Sequence, residues 1–123
     1  MIVADTDVLI DFLAGKGEAD AVDRLISRGA LRTTVIARFE LLSGAKSPKQ
    51  LARLAQLLDA VPALALDVGA ADAASEVRRV LERSGNTIGM ADSLIAGIVL
   101  SNGGTLLTRN RRHFERVPDL KLG

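Results

Sequence analysis

Three acidic residues stand where apolar stretches ought to run on. Asp5 follows Ile2-Val3-Ala4 and precedes Val8-Leu9-Ile10. Glu40 lies inside Ala37-Arg38-Phe39-Glu40-Leu41-Leu42-Ser43-Gly44, between residues suited to a core, with Gly44 one turn on leaving space over that face. Asp92 falls in Gly89-Met90-Ala91-Asp92-Ser93-Leu94-Ile95-Ala96, near the start of a strongly apolar helix. A helix N-terminus favours negative charge there by about 0.3–1 kcal/mol. Carboxylates gathered at one place cannot all ionise without compensation, because like charges raise one another's pKa. A hard divalent cation resolves the conflict, and oxygen-only ligands select Mg²⁺ or Mn²⁺ over zinc. Such an ion activates water and neutralises charge on a phosphodiester.

Each acid also has a plainer reading. Asp5 suits a turn, and Asp7 is a good helix N-cap. Asp92 suits the helix dipole, Glu40 a solvated face, and Asp11 a solvated helix position. Thr108 and Asn110, in Leu106-Leu107-Thr108-Arg109-Asn110, suit either a capping turn or a phosphate oxygen. Arg109, Arg111, Arg112 and Arg116 crowd one short stretch and either steer phosphates or form ordinary surface. His113, the only histidine, reads as a solvated or packed residue beside Phe114.

The elements that must position these residues follow from periodicity. Ile2-Val3-Ala4 reads as a buried strand. A helix from about Asp7 to Gly15 carries Val8, Leu9, Phe12 and Leu13 on one face. Val22, Leu25 and Ile26 mark a second helix closed at Gly29, and Leu31 to Val35 a strand. Ile36, Phe39 and Leu42 predict the buried stripe of a third helix, stopped at Gly44. Ser47-Pro48-Lys49-Gln50 opens a fourth, with Ser as N-cap, Pro at the first helical position and Gln three after the cap. Its predicted face is Leu51, Leu54, Leu58 and Val61. Ala63 to Leu66 is strand-like, and Asp67 caps an Ala-rich helix ending at Gly85. Ala91, Leu94, Ile95, Ile98 and Val99 form the next helix, closed by Asn102-Gly103-Gly104. Thr105 to Thr108 is a strand, Asn110 to Glu115 a turn or short helix, and Leu120 to Leu122 an edge strand. Strands alternating with helices predict an α/β sandwich, a parallel sheet covered on both faces. If so, Asp5 ends its first strand, and ligands of such sheets sit beyond the C-terminal strand ends.

Composition sets the bounds. With 123 residues and 48% hydrophobic content, residues 1–123 are expected to form one domain with a proper core. No apolar run suits a membrane span and no secretory leader is evident, so a reducing cytoplasm is the expectation, consistent with the lack of cysteine. Sixteen cations against fifteen anions leave a net charge of +1, too little to coat nucleic acid by bulk charge. Three Phe without Trp or Tyr argue against a base-stacking platform.

Four pieces in order, Val3-Ala4-Asp5-Thr6-Asp7-Val8-Leu9-Ile10-Asp11, Glu40-Leu41-Leu42-Ser43-Gly44, Ala91-Asp92-Ser93-Leu94-Ile95-Ala96 and Leu107-Thr108-Arg109-Asn110 followed by Phe114, span nearly the whole chain. In this the sequence resembles the PIN-domain family, and within it the VapC-like ribonuclease toxins of bacterial toxin–antitoxin pairs. The resemblance implies a three-layer sandwich around a central, mostly parallel five-stranded sheet. It implies an endoribonuclease dependent on Mg²⁺ or Mn²⁺, leaving a 5′-phosphate. It implies a homodimer or a toxin–antitoxin hetero-oligomer, held inactive by a small cognate antitoxin. Carried over by position, Asp5, Glu40 and Asp92 are the catalytic acids and metal ligands, Asp5 and Asp92 foremost. Thr6 and Thr108 match small hydroxyl residues near the metal, and Arg109 and Asn110 join them on the substrate side. A fourth acid is often found in the segment where this chain has Asn110 and His113, which puts a second metal position in doubt. The position of Asp7 is often Asn, which suits fixing a turn.

Two other readings compete. Asp5-Thr6-Asp7-Val8 fits the signature of aspartate-nucleophile phosphatases, with Asp5 phosphorylated and Asp7 the general acid, but that mechanism has no use for Glu40. A catalytically inactive PIN-like module that binds RNA or protein is the third. The helix carrying Leu51, Leu54 and Leu58 offers a docking or dimer face.

Overall fold

The computed structural model describes residues 1–123. Strands and helices alternate as β1 (Ile2–Ala4), α1 (Thr6–Leu13), α2 (Ala19–Ser27), β2 (Leu31–Thr34), α3 (Val35–Ser43), α4 (Pro48–Ala60), β3 (Ala63–Leu64), α5 (Val68–Arg83), α6 (Met90–Ser101), β4 (Thr105–Leu107), α7 (Arg111–Phe114) and β5 (Lys121–Leu122). The five strands make one sheet in the order β3-β2-β1-β4-β5. Every pairing is parallel. No helix is long and apolar enough to cross a membrane.

The middle strand explains the layering. Successive side chains of a strand point to opposite faces. Val3 therefore joins a core with Val77, Leu81, Ile95, Val99 and Phe114, beneath α5 and α6. Ala4 joins the opposite core with Leu9, Val22, Leu41, Leu54 and Leu58, beneath α1 to α4. Both residues are fully buried. On the first side, α5 and α6 approach closely because Gly97 meets Ala74: a Cβ at Gly97 would lie 2.5 Å from Ala74 Cβ.

Helix starts are set by side-chain caps. Ser47 Oγ accepts from the Gln50 N–H, with Pro48 opening α4 as expected. Asp67 caps α5 by accepting from the Ala70 N–H. Thr34 caps α3 by accepting from the Ala37 N–H, so β2 stops at Thr34 rather than Val35. Asp5, not Asp7, caps α1, so this helix begins at Thr6. β3 spans only Ala63–Leu64, β4 ends before Thr108, and the edge strand is Lys121–Leu122.

Two predicted stripes are rotated. In α3 the buried residues are Ala37 and Leu41, and Phe39 is 69% exposed. In α4, Leu57 is buried with Leu54 and Leu58, and Leu51 faces outward. Both helices carry apolar residues on more than one face, so spacing alone does not choose the one that meets the sheet.

Candidate active site

Strand order reverses on either side of β1, and the crevice beyond the C-terminal ends of β1 and β4 is where a doubly wound sheet receives ligands. Asp5 follows β1 and Thr108 follows β4. Asp5 is 6% exposed. Its Oδ1 accepts from the Thr6 N–H at 2.8 Å, which is the cap of α1. Its Oδ2 accepts from the Thr108 hydroxyl at 2.8 Å. Burial pushes the Asp5 carboxyl up to about 6, and the neighbouring charges of Asp7 and Asp92 push the same way. The Thr108 and Thr6 hydrogen bonds oppose the shift without cancelling it.

Asp7, the second residue of α1, ties down the turn after β4. Both its oxygens stand 3.2 Å from the Arg109 N–H, and Oδ2 is 3.4 Å from Thr108 Oγ1. Thr108 Oγ1 in turn accepts from the Asn110 N–H at 3.0 Å. This agrees with a turn-fixing role and takes from Asp7 the freedom a general acid needs, which weakens the phosphatase alternative. Arg109 Nε pairs with Asp11 Oδ2 at 2.8 Å, so Asp11 is not simply solvated. Arg111 donates to the Gly123 carbonyl rather than facing the crevice alone.

Asp92 lies in the first turn of α6, whose N-cap Gly89 offers no side-chain bond. Its Oδ2 is 3.4 Å from Asn110 Nδ2 and 3.2 Å from His113 Nδ1. His113, expected to be solvated or packed beside Phe114, is 43% exposed and also reaches Asp92. Asn110 and His113 are three apart around the short α7, which places them on one face, and that spacing was the available signal. Glu40 is exposed and joins the cluster through Thr6, whose hydroxyl donates to Glu40 Oε1 at 2.8 Å.

The expected residues thus assemble from four distant parts of the chain. Asp5, Thr6, Asp92, Thr108 and Asn110 converge, Glu40 stands one hydrogen bond outward, and Arg109 borders the cluster from the Asp11 side. An oxygen-rich set around a buried carboxyl lacking a counter-charge fits a divalent cation. No three of the acid and imidazole side chains already close into a ligand set by themselves.

Residues 2–120 match the PIN domain family model. The chain belongs to the PIN-domain family. Among its relatives, ribonuclease VapC19 of Mycobacterium tuberculosis is 32% identical over 123 residues, covering 98% of each chain. The tRNA(fMet)-specific endonuclease VapC of Shigella flexneri is 28% identical over 121 residues, covering 95% of this chain and 92% of the relative. The crystal structure of DNA-bound VapBC from Salmonella typhimurium superposes with a TM-score of 0.89 at 29% identity, over 99% of this PIN domain and 96% of that chain.

Proposed function

We propose that this PIN domain is a VapC-type ribonuclease toxin that hydrolyses RNA phosphodiesters using Mg²⁺ or Mn²⁺. Nucleases of this family generally work with a divalent metal. The observation that carries the reading is the buried Asp5 carboxyl, raised by burial and by two neighbouring acids at the switch point of the sheet. Asp5 and Asp92 would hold the ion, with Glu40 as the outer acid. When bound, the ion supplies activation of water and neutralisation of charge on the phosphodiester.

The rest of the chemistry belongs to the chain. Thr108 orients Asp5 from across the crevice, and Asp7 holds the Thr108–Asn110 turn in register. Thr6 keeps Glu40 turned toward the cluster. Arg109 has a side chain 62% exposed beside Asp11, positioned to meet a substrate phosphate.

The solved structures it resembles include a toxin–antitoxin complex and a member of the VapBC family of toxin–antitoxin systems. An antitoxin segment suits the groove of about 340 Å³ between α1, α3 and α4. Ile10, Leu13, Leu41 and Leu54 give it an apolar floor, while Glu40 and Arg53 supply charge of both signs. Leu51 and Leu58, expected on this surface, lie outside its lining.

The test is cleavage of a total-RNA pool by purified protein in Mg²⁺ or Mn²⁺ against EDTA, beside Asp92→Asn. Metal-dependent fragments should appear and fall at least about a hundredfold in the variant. Intact RNA with folded wild-type protein favours a binding module instead, and cutting that survives EDTA removes the metal from the reading.

A further inference from the structure

A cavity of about 620 Å³ lies between α1, α2 and the ends of β4 and β5, apart from the groove on α3 and α4. That is within the range of small-ligand pockets, ~300–1,000 Å³. Val8, Val22, Leu25 and Leu107 give it aliphatic walls. Its polar side chains are those of Asp11, Glu18, Thr108 and Arg109. Thr108 joins the cavity to the acidic cluster, for it lines the one and its hydroxyl donates to Asp5 at 2.8 Å. A nucleotide whose phosphate lay at Asp5 would have its base within reach of this cavity. Two carboxylates in the lining repel a phosphate, so the base end is the part that enters.

Asp11 decides which base fits. Arg109 Nε holds its Oδ2 at 2.8 Å, and the Asp11 side chain is only 18% exposed. Gly17 leaves room for this carboxylate: a Cβ there would stand 3.2 Å from Asp11 Oδ2, and a φ of +61° suits glycine. A carboxylate fixed in place offers two acceptors in one plane and no donor. Among the RNA bases, guanine alone presents two adjacent donors, N1–H and N2–H, on its Watson–Crick edge. Adenine and cytosine place one amine beside an acceptor nitrogen, and uracil one N–H between two carbonyls. Aliphatic walls accept the flat faces of a purine. We propose that this cavity takes a guanine base of RNA, next to the phosphate at the acids, with Asp11 accepting from N1–H and N2–H. The inference rests on reading the acidic cluster as a site that handles RNA, and adds a base preference to it. Arg109 fixes Asp11 through Nε, which leaves its terminal nitrogens for the phosphate. A guanidinium from a partner protein has paired donors too, but it would crowd the charge of Arg109, whereas guanine is neutral.

Fluorescence anisotropy with full-length Asp92→Asn protein in Mg²⁺ reads binding without cutting. The probes are labelled uridine dodecamers with one central guanine, inosine or adenine, and inosine lacks only the exocyclic amine of guanine. The guanine probe should bind at least about tenfold more tightly than the inosine or adenine probe. Adding Asp11→Asn should bring that ratio close to one, because the amide sets a donor against N1–H. Ala21→Phe narrows the cavity without touching a carboxylate and should erase the same preference. Circular dichroism reports whether each variant folds, and the comparison of guanine with inosine needs neither. Equal affinity for the guanine and inosine probes, or a preference that survives both folded variants, overturns the proposal and returns the cavity to a partner protein's side chain. Cleavage by wild-type protein is scored separately. Cutting without base preference defeats the guanine site and leaves the nuclease standing, whereas the preference without cutting supports the guanine site and defeats the nuclease.

Discussion

Asp5 has both carboxylate oxygens engaged inside the protein, yet its proton leaves at about pH 6. Desolvation outweighs two good hydrogen bonds. The folded state therefore holds this proton more tightly than the unfolded chain, whose ordinary value is 3.8. A raised acid stabilises the fold at low pH and loses that contribution as pH climbs through the folded value. Without divalent cation, urea unfolding should show stability falling by up to about 3 kcal/mol between pH 4 and pH 7. Asp5→Asn should flatten that profile and abolish cleavage, and saturating Mn²⁺ should return stability to the wild type at pH 7. A wild-type profile already flat in EDTA would contradict the burial argument. Asp5, Glu40 and Asp92 were legible because an acid within an apolar run is conspicuous. The work of Asp7 and Asp11 was not, since their partners Arg109 and Thr108 lie about a hundred residues on and meet them only once β4 pairs with β1.

At the scale of elements, caps and breaks were the readable part. Ser47, Asp67, Gly85 and Asn102 act through residues close in sequence, and each ends or begins a helix where expected. Which face of a helix is covered is decided by neighbours instead. Phe39 fits a stripe with Ile36 and Leu42, but the fully covered face is that of Ala37 and Leu41, since α3 carries apolar residues on more than one side. The α5–α6 contact was equally hidden, as Gly97 gives no local signal. A Cβ there would stand 2.5 Å from the Ala74 backbone nitrogen and 2.6 Å from the Ala70 carbonyl, neither of which can swing aside. Gly97→Ala should cost roughly 1–3 kcal/mol of unfolding free energy in urea. Because α6 carries Asp92 in its first turn, cleavage should drop with it. Wild-type stability in this variant would mean that the two helices part at little cost.

Across the whole molecule, the acidic cluster and the α1–α3–α4 groove share Glu40, which lines the groove and is reached from the cluster through Thr6. An antitoxin lying in the groove would therefore meet Glu40. Ile10 is half exposed on the groove floor and takes no part in the acidic cluster. Ile10→Lys should weaken antitoxin binding at least tenfold, about 1.4 kcal/mol, while free protein cuts RNA at the wild-type rate. Equal affinity in a direct titration would move the docking surface elsewhere. The strand order has a further consequence, for timing during synthesis. Thr108, Asn110 and His113 are made more than a hundred residues after Asp5, and β4 must slot beside β1 to unite them. At ~5–20 residues per second, several seconds separate the two ends. A nascent chain whose segment beyond residue 104 is still inside the ribosome has its first acid but no site, so the acids cannot act together until β4 has emerged and paired with β1.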